Sequence, residues 1–355
     1  MAEVEVTADG KSMPVTRSKA TGSFRPMSCF APATVGSPRQ FGPWSRGLTT
    51  ALALALGGLS ACSTEPKSGD PQTREVLTAD HFWPLNLPEG RRLDASGLMR
   101  LPDGAFVTVN DQDARVFRFE VSDTAEALDL TRVPDLLPDG EAAALMSGKR
   151  GRLDLEGVAR DETGRWYLCE ESQRWILRWD PESKKTERLE IDWGAVRLYF
   201  NESDPNASFE GIAVGGKRLY VANERQTGRI IVVDLATLRV VDHFTVKPAG
   251  SASPDTHFSD LCWAEGSLWA LLRDVRKVLR IDPIAHAILA EYDYGEMENA
   301  PECGYGLLFA PGFMEGLWVD EKYIWLMVDN NGFARRGRTS DHRPILFRCR
   351  RPDRQ

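Results

Sequence analysis

The chain has 355 residues, of which 42% are hydrophobic and 27% charged, and its formal net charge at pH 7 is -8. This composition supports a substantial buried core and excludes a disordered or collagen-like chain. The negative charge argues against a nucleic-acid-binding protein, because affinity for phosphate backbones comes from clustered Lys and Arg. An acidic chain is better suited to binding a cation.

The first 61 residues are typical of a targeting segment. Arg46 precedes the apolar run GLTTALALALGGLSACS, which has the length of a signal peptide and is too short to span a bilayer. Its end, Leu59-Ser60-Ala61-Cys62, resembles the lipobox of bacterial lipoproteins, so Cys62 is the predicted lipidation site. An unprocessed tail with a chance cysteine is the alternative, and the long leading stretch leaves the true start open.

Residues 62–73 are polar and predict a flexible tether between the lipid and a globular domain spanning residues 74–355. We therefore expect a bacterial envelope protein, anchored by lipid and facing the periplasm or lying at the outer membrane. Its expected partners are the lipid and either a small molecule or an envelope protein, with no nucleic acid.

Four cysteines remain after Cys62, in a compartment that permits disulfides: Cys169, Cys262, Cys303 and Cys349. The chain has no CxxC pair and no Cys/His cluster, so we predict no zinc site. Sequence alone does not establish a pairing such as Cys303 with Cys349. Burial as small hydrophobic side chains fits Cys169 and Cys262 equally well, because both lie in predicted strands.

Five similar segments follow one another at intervals of about 50 to 60 residues. Each has a slot residue, a following Gly (Asp in the fourth), a strand, a turn, and a second strand that ends in a polar pair. The slot residues are Ser96, Glu156, Glu210, Ser259 and Glu315. The polar pairs are Asn110-Asp111, Glu170-Glu171, Asn223-Glu224, Arg273-Asp274 and Asp329-Asn330.

Repeats of this length and composition predict an all-β fold, a β-propeller of five four-stranded blades. A sixth, degenerate blade within residues 120–150 or 283–312 stays open. A β-sandwich or a two-domain barrel is the competing fold, but neither explains fivefold internal similarity. The last copy lacks one strand, and we predict that TREVLTADHF near residue 74 supplies it and closes the ring. Aromatic side chains on the strands are expected to pack between blades.

A hairpin returns the chain to its starting level, so slots and polar pairs should meet at one rim of the channel. Carboxylate and amide oxygens from several segments are ligands that Ca²⁺ prefers, which makes Ca²⁺ the candidate cofactor. The predicted metal ligands are Glu156, Glu170, Glu210, Asn223, Glu315, Asp329 and Asn330. The alternative is that each Glu binds backbone amides of the neighbouring blade as a structural latch.

Nucleophilic catalysis has little support, because the chain lacks a G-x-S-x-G elbow and no histidine has a sequence partner for a triad. His257 precedes the slot residue Ser259 by two positions and is the candidate general base, although a lone His is more often structural. Arg273 is the one basic residue among the polar pairs and is the candidate for holding an anion.

The segments LEGVA, FEGIAV and MEGLWV, followed by CEES, ANER and VDNN, resemble two related propeller families, esterase-like activity of phytase and SdiA-regulated. The resemblance spans about residues 90 to 350. It implies Glu156, Glu210, Glu315, Asp329 and Asn330 as motif residues, whereas Ser96, Ser259 and Asp260 depart from the pattern. The implied function is a cation-dependent hydrolase of a phosphoester, ester or lactone. The alternative is a non-catalytic propeller that binds a protein, peptide or glycan.

Overall fold

A computed structural model describes residues 74–87, 90–149, 152–204, 207–225, 228–251, 256–306 and 312–354. The predicted signal region, the tether and Cys62 lie outside these residues. Neither α-helix in the described part of the chain has the length and apolarity of a membrane span.

The described residues form short strands with two small helices. The strands are β1 (Arg74–Val76), β2 (Ala79–Asn86), β3 (Ala95–Arg100), β4 (Phe106–Asn110), β5 (Arg115–Phe119), β6 (Leu128–Asp129), β7 (Thr131–Arg132), β8 (Leu155–Arg160), β9 (Trp166–Glu170), β10 (Trp175–Asp180), β11 (Lys185–Arg188), β12 (Phe209–Gly215), β13 (Arg218–Asn223), β14 (Arg229–Asp234), β15 (Arg239–Phe244), β16 (Phe258–Ala264), β17 (Ser267–Leu272), β18 (Lys277–Asp282), β19 (Ala287–Asp293), β20 (Met314–Val319), β21 (Tyr323–Val328) and β22 (Ile345–Arg350). The helices are α1 (Asp139–Leu145) and α2 (Gly295–Asn299).

These strands build five blades. The first blade is β3-β4-β5-β7, the second β8-β9-β10-β11 and the third β12-β13-β14-β15, while β16 to β19 form the fourth and β20-β21-β22-β2 the fifth. The innermost strands β3, β8, β12, β16 and β20 contact one another in turn, and β20 contacts β3. The predicted five-bladed β-propeller is confirmed. Among the described residues, the two regions where a sixth blade was left open contain α1 and α2 together with β6, β7 and β19, which belong to the sheets of the fifth, first and fourth blades.

The ring is closed by the N-terminal strands. β2 pairs antiparallel with β22, with Phe82 opposite Phe347, and becomes the outer strand of the fifth blade. β1 pairs parallel with β19 and extends the fourth blade by one strand. The prediction that this stretch supplies the missing strand is confirmed for residues 79–82, which begin β2, whereas Arg74–Val76 joins the fourth blade.

Each innermost strand carries a β-bulge, which lies at the slot residue in β8, β12, β16 and β20 and at Gly97 in β3; a glycine follows the slot in four blades. In β12 the register shifts between Phe209 and Ile212, so Glu210 is bulged and Gly211 follows. A Cβ on Gly211 would lie 2.5 Å from Cα of Asp260 in the next blade, which is closer than two such atoms can approach. The bulge changes the direction in which the Glu210 side chain points, and the glycine lets neighbouring innermost strands approach each other.

Asp260 takes the glycine position in the fourth blade and joins three blades. Its carboxylate accepts hydrogen bonds from the backbone N–H groups of Leu98 at 3.2 Å, Leu317 at 2.7 Å and Leu261 at 2.8 Å. Burial raises the pKa of this carboxyl group well above its ordinary value, although the three bonds act in the opposite direction. This departure from the repeat is therefore a structural cross-link between blades.

The core consists of five apolar clusters, one between each pair of neighbouring blades. Aromatic side chains contribute as predicted; Trp166 and Trp179, for example, meet edge to face 5.6 Å apart within the cluster between the first two blades. The four cysteines of the described residues are buried and unpaired. They pack as small apolar side chains.

We predict that Gly211→Ala costs about 3 kcal/mol of unfolding free energy, because the added methyl group meets the backbone of Asp260. Denaturant unfolding of both proteins measures the difference. Gly140→Ala is the matched control, since nothing lies within 4 Å of a Cβ at that position in α1. Equal stability of the wild type and Gly211→Ala would show that the innermost strands are not tightly packed.

Candidate metal and active site

One end of the central channel opens into a cavity of about 630 Å³, which we call the acidic cavity. Its wall also contains Arg152, Arg225, Arg273 and His257. Eight acidic side chains line it: Asp111, Asp154, Glu156, Glu171, Glu210, Glu224, Glu315 and Asp329. Acids outnumber bases there, so the cavity concentrates the negative charge of the chain.

Three slot residues form the buried part of this site. Glu156, Glu210 and Glu315 are only 7%, 4% and 6% exposed. One carboxylate oxygen from each lies within 4.8 Å of the oxygens from the other two. They belong to the second, third and fifth blades, so the bulges bring together acids that are far apart in sequence.

Strand register determines which member of each polar pair reaches the cavity. Leu155 pairs with Glu170 in the second blade, whereas Met314 pairs with Val328 in the fifth, whose hairpin is one residue shorter. Asp329 is consequently equivalent to Glu171. The equivalent positions in the five blades are Asp111, Glu171, Glu224, Arg273 and Asp329, and all five line the cavity.

Three predicted ligands are not brought to the cavity: Glu170, Asn223 and Asn330. Glu170 accepts hydrogen bonds from the Ser172 hydroxyl and from the N–H groups of Gln173 and Asp154, all within its own blade rather than in the neighbouring one. Asn330 donates to the carbonyl oxygens of Phe333 and His342. Asn223 is fully buried, and neither of its side-chain polar atoms has a partner among the described residues.

The two predicted catalytic side chains do line the cavity. The Arg273 guanidinium bridges two acids, donating to Glu224 Oε1 at 2.6 Å and to Glu315 Oε1. Arg225 forms a second ion pair with Glu224. His257 stands one residue before β16, at the place that Asp154 holds before β8.

Burial and mutual repulsion raise the pKa values of Asp111, Glu156, Glu171 and Asp329. The pKa of Glu156 is raised well above its ordinary value by burial and then by Glu210 and Glu315, and that of Asp329 by burial and then by Glu315. The pKa of Asp111 is raised to about 7 and that of Glu171 to about 8, both mainly by burial. The Glu315 carboxylate in turn raises the pKa of Arg273. The cavity therefore favours a cation.

Three overlapping triads could hold a metal ion: Glu156-Glu210-Glu315, Glu171-Glu210-Glu224 and Asp111-Asp154-Glu156. Sequence reasoning selected the first triad but not Asp111, Asp154, Glu171 or Glu224 as ligands. Asp111, Glu171 and Glu224 were visible as second members of polar pairs. Asp154 lies two residues before its slot, the place that His257 holds in the fourth blade, and that equivalence is the signal that could have identified it.

Fold and site together define a five-bladed β-propeller with a buried acidic cluster at one end of its channel. The chain matches the model of the Phytase-like family, described as esterase-like activity of phytase, over residues 94–332. It therefore belongs to this family. The further resemblance to SdiA-regulated proteins stays a prediction.

Solved structures resemble the chain in fold. Glutaminyl cyclase from Myxococcus xanthus shares 16% identity with a TM-score of 0.52, covering 79% of this chain and 98% of the cyclase. PQQ-bound aldose sugar dehydrogenase from Streptomyces coelicolor shares 15% identity with a TM-score of 0.43, covering 79% of this chain and all of the dehydrogenase. The comparison with curated proteins found no match. At these identities the likeness to the cyclase supports the propeller fold alone.

Raised pKa values make the metal-free protein less stable in alkaline solution. The folded state holds protons on Asp111 and Glu171 up to about pH 7 and 8, whereas the unfolded chain releases them near pH 4 to 4.5. The free energy of unfolding therefore falls as the pH rises through this window. We predict that the melting temperature in EDTA is several degrees lower at pH 9 than at pH 6.

Glu171→Gln should reduce this loss of stability, because one titrating acid is removed. The exposed acid Glu321 provides the control, and Glu321→Gln should leave the pH profile of melting unchanged. A wild-type melting temperature that is constant from pH 6 to 9 would contradict the raised pKa values.

Proposed function

We propose that the protein is a divalent-cation-dependent hydrolase of a phosphoester, ester or lactone, with its cation held by Glu156, Glu210 and Glu315. The convergence of these three buried carboxylates within 4.8 Å of one another is the observation that carries the proposal. Such a cluster is costly when every member is ionised and no cation is present. A cation bound there would offset both burial and repulsion.

The donor set fits a hard cation. Every acidic side chain around the acidic cavity offers carboxylate oxygens as ligands. Among its described lining residues there is no cysteine. Ca²⁺ takes six to eight oxygen ligands in flexible geometry, which suits acids contributed by different blades. Ca²⁺ is therefore the proposed ion, with Mg²⁺ and Mn²⁺ as comparisons.

A bound cation would supply Lewis acidity toward the scissile ester and would activate a water molecule. The protein side chains have separate tasks. Arg273 offers its guanidinium within the cavity and can hold an anionic oxygen of the substrate. His257 lines the same cavity and is the proposed group that accepts or returns a proton. A volume of about 630 Å³ admits a small-molecule substrate.

We further propose that this domain acts at the bacterial cell envelope, tethered by lipid on Cys62. The signal-like run, the lipobox-like tetrapeptide and the polar tether of residues 62–73 support this proposal. A hydrolase on such a tether would meet substrates outside the cytoplasm.

Cation binding is tested by melting the protein in EDTA and then with Ca²⁺, Mg²⁺ or Mn²⁺. A ligand that binds only the native state raises the melting temperature, and at 100 times Kd it adds about 2.7 kcal/mol. We expect Ca²⁺ to raise the wild-type melting temperature, and Glu210→Gln and Glu315→Gln to abolish the increase.

Glu170→Gln is the matched control, because Glu170 is a buried acid whose bonds remain within its own blade. It should lower the melting temperature in EDTA yet retain the increase with Ca²⁺. Absence of any cation effect on the wild type would overturn the metal site and with it the proposed hydrolase.

Catalysis is tested with p-nitrophenyl phosphate, p-nitrophenyl acetate and a lactone, each in Ca²⁺ and in EDTA. We expect Ca²⁺-dependent turnover of at least one of them, with His257→Gln lowering kcat by about 100-fold, the usual contribution of a positioned general base. Cation binding without hydrolysis of any substrate class would instead favour the non-catalytic binding protein.

A further inference from the structure

A second and larger cavity lies beside the acidic cavity and has the opposite charge. Its volume is about 1040 Å³, and it lies between residues 85–87 and 90–93 on one side and Gly332 and residues 337–344 on the other. We call it the arginine groove, after Arg91, Arg92, Arg338 and Arg343 in its wall. Asp341 is the one acidic side chain among its described lining residues, which is unusual in a chain with a net charge of -8.

Asp341 does not neutralise the whole groove, because its carboxylate already forms ion pairs with two arginines. Its carboxylate accepts from Arg343 at 2.8 and 2.9 Å and also pairs with the buried Arg335. Arg338 is exposed, and its side chain has no partner among the described residues. Arg91 and Arg92 pair with Asp113 and Asp94 but leave 36% and 50% of their side chains exposed.

The groove and the acidic cavity share a wall. Arg92 Nε donates to Asp94 Oδ1 at 2.6 Å, and the guanidinium of Arg92 packs against Gly332. A Cβ on Gly332 would lie 3.1 Å from the guanidinium carbon, and the φ of +62° to +69° at Gly90 and Gly332 favours glycine. Asn331, next to Gly332, lines the acidic cavity. A ligand longer than one functional group could therefore occupy both cavities.

We propose that the arginine groove binds a compact oxyanion, a phosphate, sulfate or carboxylate group, carried by the substrate at a distance from its scissile bond. Guanidinium groups present paired N–H donors that match such oxyanions, and Arg338 has its donors free to do so. Binding of an oxyanion by the groove does not depend on the proposed function. The statement that this oxyanion is part of the substrate rests on the proposed function. It makes the substrate an extended anion and disfavours a small neutral ester or lactone.

The groove is tested without metal, by calorimetric titration of the full chain in EDTA with inorganic phosphate, sulfate and acetate. The three anions distinguish which oxyanion is preferred. We expect binding of at least one, weakening with ionic strength, and at least fivefold weaker binding by Arg338→Gln. Arg197→Gln is the control, because Arg197 is 75% exposed and does not line the groove.

Absence of anion binding by the wild type in EDTA would overturn the proposal that the groove binds an oxyanion. Anion binding by Arg338→Gln as tight as that of the wild type would overturn it as well. Both measurements are made without Ca²⁺. A negative result for anion binding can therefore be distinguished from a negative result for cation binding. With a hydrolysed anionic substrate, Arg338→Gln should raise KM and leave kcat unchanged, as expected for loss of uniform binding. A change in kcat alone would contradict a distal binding role.

Discussion

Close approach of five innermost strands around one channel is the constraint on which the rest of the structure depends. It requires glycine after the slot in four blades: in the first three blades a side chain there would meet the backbone of the neighbouring blade, and in the fifth it would meet the side chains of Met327 and Leu98. It also requires a bulge, which points the preceding residue toward the channel. A packing requirement thus explains the Glu-Gly motif, and the convergence of the acids is a consequence of ring closure.

Convergence of acids has an electrostatic cost that the fold only partly offsets. Arg273 comes from the blade whose slot is Ser259 and reaches Glu224 and Glu315 of the third and fifth blades. Asp260 in the same blade is satisfied by backbone N–H groups and stands apart from the cavity acids. The fourth blade therefore departs from the repeat in two ways that each stabilise the ring, one by charge and one by hydrogen bonding.

The sequence predicted the fold more completely than the residues of the site. Fivefold recurrence of strand, turn and strand was enough for the propeller and for closure by β2, because periodicity reports backbone structure directly. Glu156, Glu210 and Glu315 were identified because they recur at the slot, and Asp329 because it belongs to a polar pair. Glu170, Asn223 and Asn330 do not line the cavity, because successive residues of a strand point to opposite faces and spacing alone does not show which member of a pair faces the channel.

The departures from fivefold symmetry give the channel mouth its chemical character. Glutamates fill the slots of the second, third and fifth blades, whereas serines fill those of the first and fourth, so the negative charge is not spread evenly around the axis. The arginine groove adjoins the boundary of the fifth and first blades, where β2 closes the ring. An anion bound as proposed would be oriented by the opposite charges of the two cavities, because its charged group would be attracted to one cavity and repelled from the other until a cation occupied the acids. On this basis, cation and anionic substrate would bind in sequence, with each lowering the electrostatic cost of the other.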